Sequence, residues 1–67
     1  MKGQIMRLTI ILGLDNDAFK PHPKDETERI LADLAKQIGQ QGIYPDKSII
    51  LRDVSGNRVG IADVFDN

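Results

Sequence analysis

Cysteine is absent from the 67-residue chain, and histidine occurs once. The first absence excludes a disulfide staple, a thiolate metal site and a cysteine nucleophile; the second excludes a histidine cluster. No apolar run approaches the roughly 20 residues of a membrane span. Charge of one sign is lacking as well: nine Lys and Arg stand against ten Asp and Glu, for a net charge of −1. That balance argues against bulk electrostatic binding of nucleic acid and leaves room for a local basic patch. A single domain of this length buries only about 60% of its unfolded surface. With disulfides and a cysteine–histidine metal centre gone, oligomerisation is the expected staple, and a homodimer its simplest form. Lys2 ahead of Leu8–Leu14 faintly resembles a signal peptide. However, Arg7 abuts the apolar run, and Asp15-Asn16-Asp17 stands where small cleavage-site residues belong. The chain therefore reads as cytoplasmic and free of the membrane.

One stretch has helical periodicity. From Asp25 to Ile38, apolar residues fall at Ile30, Leu31, Leu34, Ala35 and Ile38, while Arg29, Asp33, Lys36 and Gln37 take the other side. Asp25 followed by Glu28 resembles a capping box, with Asp in place of Ser or Thr. Gly42, with Pro45 beyond it, marks the end, and the spacing places the last helical residue between Ile38 and Gln41.

The remainder reads as strand and turn, with residues 1–5 as a flexible leader. Met6, Leu8, Ile10, Leu12 and Leu14 alternate with Arg7, Thr9, Ile11 and Gly13, which predicts a first strand with its even face in the core. Asp15-Asn16-Asp17 ends it. Residues 48–53 and 58–65 read as a hairpin around Asp53-Val54-Ser55-Gly56-Asn57, a type I turn closed by a bulge at Gly56. That turn predicts Leu51 opposite Val59 and Ile49 opposite Ile61, both pairs facing the helix. The outer face would then carry Ile50, Arg52, Arg58, Gly60, Ala62 and Val64. The fold class is α+β, in the order β-α-β-β. One helix covers a three-stranded, mainly antiparallel sheet, in strand order 1-3-2, with the last strand between the other two, or in the alternative order 1-2-3.

Leu14-Asp15-Asn16-Asp17-Ala18-Phe19, Arg29-Ile30-Leu31-Ala32-Asp33-Leu34-Ala35 and Leu51-Arg52-Asp53-Val54-Ser55-Gly56-Asn57-Arg58-Val59-Gly60 together carry a resemblance. They are similar to small uncharacterised proteins common in phage and prophage-bearing bacterial genomes. The shared features are a D-N-x-A-F turn, an amphipathic helix and an L-R-D-x-x-G-N-x-V-G hairpin. The resemblance spans most of residues 6–64. It implies a phage or mobile-element setting, in which short accessory proteins bind a host component, and it transfers no functional residue.

Candidate chemistry is sparse. Counting from Asp15, Phe19 and Lys20 occupy the fifth and sixth positions of a calcium loop, where an oxygen ligand and glycine are required, so no metal site is expected. His22, Ser48 and Ser55 have no catalytic partner in the sequence, and no cofactor is implied. Gly56 and Gly60 lack the helix N-terminus and the lysine of a phosphate-binding loop. Two surfaces remain. Ile11, Ile50, Gly60, Ala62 and Val64 would form an apolar face that a second copy or a host protein covers. Arg7, Arg52 and Arg58 would rim the same face and offer a site for a nucleotide, nucleic-acid or other anion. The chain is expected to be a non-enzymatic interaction module, with anion binding as the alternative.

Overall fold

The computed structural model describes residues 6–66, and the expected leader at residues 1–5 lies outside them. The chain runs β1 (Met6–Leu12), a short 3-10 turn (Asp17–Phe19), α1 (Pro23–Gln41), β2 (Ser48–Arg52) and β3 (Arg58–Asp66). The sheet order is β1-β3-β2, and both pairings are antiparallel. This is the α+β arrangement that the hydrophobic periods predict. Placing β3 in the centre lets both of its neighbours pair antiparallel to it, although β1 and β2 run the same way.

The helix begins three residues earlier than the capping box suggests. Pro23 takes the first helical position, where its missing N–H costs nothing, and His22 stands at the N-cap without a side-chain hydrogen bond. Asp25 is thus inside the first turn and does not cap it; its carboxylate meets Lys24 at 3.4 Å. At the other end the Gly42 N–H donates to the Ile38 carbonyl at 2.8 Å. Gly42 has φ 87, the left-handed conformation open to glycine, and the helix stops at Gln41. Upstream, the Asn16 side chain accepts the Ala18 N–H at 2.8 Å, and the resulting turn carries Phe19 into the core.

Phe19, Ile30, Leu34, Leu51 and Ala62 form the buried centre, with Leu12, Ile38, Ile49 and Val59 packed around it. Ile30 and Leu34 supply the buried helix stripe, whereas Leu31 and Ala35 remain exposed. One helix has a single inward stripe, and here that stripe is spent on β2, β3 and Phe19.

The hairpin departs from the expected register. Its turn is as predicted: the Gly56 N–H donates to the Asp53 carbonyl at 3.0 Å, the Asp53 N–H donates to the Asn57 carbonyl at 2.9 Å, and Gly56 has φ 89. Arg52 then faces Arg58, but the next pair is Leu51 with Gly60, followed by Ile50 with Ile61 and Ile49 with Ala62. The extra residue is Val59, a bulge that slips the pairing by one position. Because side chains alternate, a one-residue slip exchanges the two faces of a strand. Gly60, Ala62 and Val64 therefore belong to the helix side of the sheet, and Ala62 and Val64 are buried there. Their expected place on an outer partner face is incorrect. The hairpin continues past β2, where the Val64 N–H donates to the Lys47 carbonyl at 2.9 Å.

Gly60 is required by the neighbouring strand. A Cβ at this position would overlap the carbonyl oxygen of Ile11, whereas a Cβ at Gly56 meets nothing within 4 Å. Gly60→Ala should thus destabilise the fold by about 1–3 kcal/mol or more through overpacking between two backbones. Gly56→Ala should cost about 1 kcal/mol from φ alone. Urea melts of the two variants check the order; a milder loss at Gly60 would show that β1 does not press on β3 there.

Candidate interaction surface

The three expected arginines do not form a site. Arg52 and Arg58 face each other at the turn end of the hairpin. Arg7 pairs with Phe65 near the far end of β3. Phe65 lies seven positions along β3 from Arg58, roughly 23 Å at about 3.3 Å per residue. Arg52 is also engaged locally, its Nη1 donating to the Gly56 carbonyl at 3.1 Å. What remains is a like-charged pair beside a turn. Among the described residues, no group of three or more His, Asp or Glu side chains could hold a metal ion.

The apolar surface, in contrast, is displaced and not lost. On the helix-free side, the pairings Ile11–Ile61 and Ile61–Ile50 draw three isoleucines into a cross-strand row, with Ile61 in the place expected of the small residues. A polar row of Thr9, Asp63 and Ser48 lies next to it, closed by a 2.5 Å hydrogen bond from the Ser48 hydroxyl to Asp63. Phe65 and Arg7 follow. Ile11 is the most open of the strand isoleucines, at 64% exposure.

Apolar side chains are also exposed on the helix side of β1. Arg29, Asp33 and Gln37 flank a cleft along β2, so α1 sits over the β2 half of the sheet. Its opposite flank carries Leu31 and Ala35, both exposed. Met6, Leu8 and Ile10 lie on the predicted inner face, yet they are 51%, 39% and 42% exposed. β1 therefore shows apolar side chains on both faces, Met6, Leu8 and Ile10 on one and Ile11 on the other.

Among the described residues, nothing pairs with its outer edge either. Lys47 accepts from Val64, so the alternation of antiparallel ladders makes Ile49–Ala62 and Leu51–Gly60 the hydrogen-bonded pairs of the hairpin. The central strand must then bond β1 through Phe65, Asp63 and Ile61, whose partners are Arg7, Thr9 and Ile11. By the same alternation, Leu8, Ile10 and Leu12 direct their N–H and C=O groups away from the sheet.

The β2 edge is finished differently. The cleft beside it, about 430 Å³ in volume, is lined by Arg29, Asp33, Gln37, Ile50, Leu51, Arg52, Asp53, Val54 and others. Across it, the buried Glu26 carboxylate accepts two hydrogen bonds from Arg29, both 3.0 Å, and one from the Val54 N–H at 2.8 Å. Arg29 Nη2 also reaches the Arg52 carbonyl at 3.3 Å. These bonds tie the helix to the hairpin turn and cap a carbonyl of the β2 edge. Neighbouring Asp53 accepts from the Ser55 and Asn57 N–H groups at 2.9 and 2.8 Å, organising the turn from inside.

The Arg29 guanidinium, helped by the Val54 N–H, holds the Glu26 carboxyl below its ordinary value against the opposing effect of burial. Burial acts on Asp53 in the raising direction, but the donors from Asn57, Ser55 and Gly56 outweigh it and the net shift is downward. Both groups are thus more acidic folded than unfolded. Their contribution is complete above the ordinary values of 4.5 and 3.8 and is lost as pH falls through the lowered folded values. Melting temperature should therefore drop as the solution is taken from neutrality to below about pH 4. Glu26→Gln should melt lower at neutral pH and show a shallower decline. Thermal scans across that range check this; parallel curves for the two proteins would mean that Glu26 is not a latch.

Sequence reasoning missed this latch because it joins residues 28 positions apart, Glu26 and Val54. Its only local trace is the i,i+3 spacing of Glu26 and Arg29, which is commonplace on a helix surface. No family model, curated protein or solved structure matches the chain.

Proposed function

We propose that the protein is a non-enzymatic interaction module that works as a homo-oligomer through β1. The observation that carries this reading is the incompleteness of the fold around that strand. Met6, Leu8, Ile10 and Ile11 remain exposed although they belong to a regular strand. Apolar side chains in such a setting gain roughly 25 cal/mol for each Å² removed from water, so a covering partner stabilises a small domain directly. In the cell the module would act in the cytoplasm by holding a host protein, the role implied by its resemblance to phage accessory proteins. The arginine reading is the weaker one, since Arg7 stands far from Arg52 and Arg58.

Sedimentation equilibrium across a micromolar concentration series tests the proposal. The natural protein should show reversible association. Ile10→Glu should remain folded by circular dichroism, because the side chain is already partly exposed, and should sediment as a monomer. A natural chain that stays monomeric at high micromolar concentration would overturn the homo-oligomer reading.

A further inference from the structure

We propose that the occupant of β1 is β1 of a second copy, paired antiparallel along the free edge to make one six-stranded sheet. The inference rests on the homo-oligomer reading above and names the interface within it. The two edges of the sheet are not equivalent. At β2, the helix flank lies alongside, Arg29 takes the Arg52 carbonyl, and the Val59 bulge shifts the register opposite Leu51–Arg52. These are devices that keep an edge from pairing with another chain. Among the described residues, β1 has none of them. Its register with β3 runs without a shift from Met6–Asp66 to Leu12–Gly60, and it contains neither proline nor an inward-pointing charge.

The sequence of the strand is complementary to itself. In Met6-Arg7-Leu8-Thr9-Ile10-Ile11-Leu12, overlap of the whole strand puts Thr9 on the two-fold axis. Leu8 then faces the partner's Ile10 and Met6 faces the partner's Leu12. These are the positions whose backbone groups point outward, so each pair is hydrogen-bonded in both directions. Arg7, the only charge in the strand, faces the partner's Ile11. The two Arg7 side chains lie four residues apart along the ladder, roughly 14 Å, and do not repel at contact distance. Leu8 and Ile10 of both copies meet on the helix side, where α1 leaves them uncovered. An axis perpendicular to the sheet keeps both helices on that same side.

The chain lacks cysteine, so a single introduced thiol reports this geometry cleanly. Thr9 would face the partner's Thr9 as a non-hydrogen-bonded pair, with Cβ atoms about 4.5–5.5 Å apart, close to disulfide range. Thr9→Cys should form a covalent dimer under mild oxidation, whereas Ile50→Cys on the opposite edge should not. Independently, Ile10→Pro deletes one outward N–H without touching the bonds to β3, and should shift sedimentation from dimer to monomer. A dimeric natural protein in which Thr9→Cys fails to cross-link, or Ile50→Cys links instead, overturns edge pairing and leaves the homo-oligomer intact. A monomeric natural protein overturns both. The cross-link does not depend on whether Ile10→Pro folds.

Discussion

The close approach of β1 to β3 at Gly60 is the constraint from which the rest of the structure follows. The position admits no Cβ because the Ile11 carbonyl occupies the space. With Gly60 opposite both Leu12 and Leu51, the strands on either side of β3 are brought into a common register. The bulge at Val59 accommodates the mismatch between that register and the tight turn at Gly56. Once the slip is made, Ala62 and Val64 enter the core, and Ile61 is sent to the opposite face. Sheets specify register through which side chains are buried, and here the burial of the small Ala62 beneath Phe19, Ile30 and Leu34 is what the slip secures.

A second consequence is geometric. One helix covers about two strands, and this one is drawn toward β2 by the Glu26–Arg29–Val54 bonds. The same bonds that close the β2 edge thus leave β1 exposed. The sheet thus has two unlike edges: β2 has the helix flank and Arg29 beside it, whereas β1 has exposed Met6, Leu8, Ile10 and Ile11 along a regular strand. In a domain of 67 residues without disulfides, this is also where additional stabilisation is most needed.

Charged groups have contrasting roles in the two halves. Glu26 and Asp53 are buried and fully partnered, and their partners are backbone N–H groups and side chains of the hairpin and helix. Buried carboxylates of this kind hold local geometry when each oxygen has a donor. Arg52 and Arg58, in contrast, face each other across the hairpin at an exposed turn. Lys47 behaves more like the carboxylates: it is buried beside the helix end, its ammonium donating to the Gln41 side-chain Oε1 at 3.1 Å and lying over the Tyr44 ring.

Element types were legible in the sequence because they rest on local rules. Alternation marks β1, the Ile30-Leu34-Ile38 spacing marks α1, and the Asp53–Gly56 pattern marks the turn; each is set within a few residues by backbone sterics and side-chain direction. The α+β class and the central position of β3 follow from those elements and from the antiparallel preference. The facing of β3 was not legible. Val59 as a bulge and Val59 as a regular strand residue have the same local sequence, and the choice is made by contact with β1 and by burial under α1. For the same reason the five residues grouped on one face by the expected register are divided: Ile11 and Ile50 lie on the helix-free face, while Gly60, Ala62 and Val64 lie beneath the helix. The bare helix side of β1 could not be read at all, since Leu8 and Ile10 have the pattern of core residues. Their exposure depends on where a single helix comes to rest, and that is decided by a carboxylate and an amide 28 residues apart.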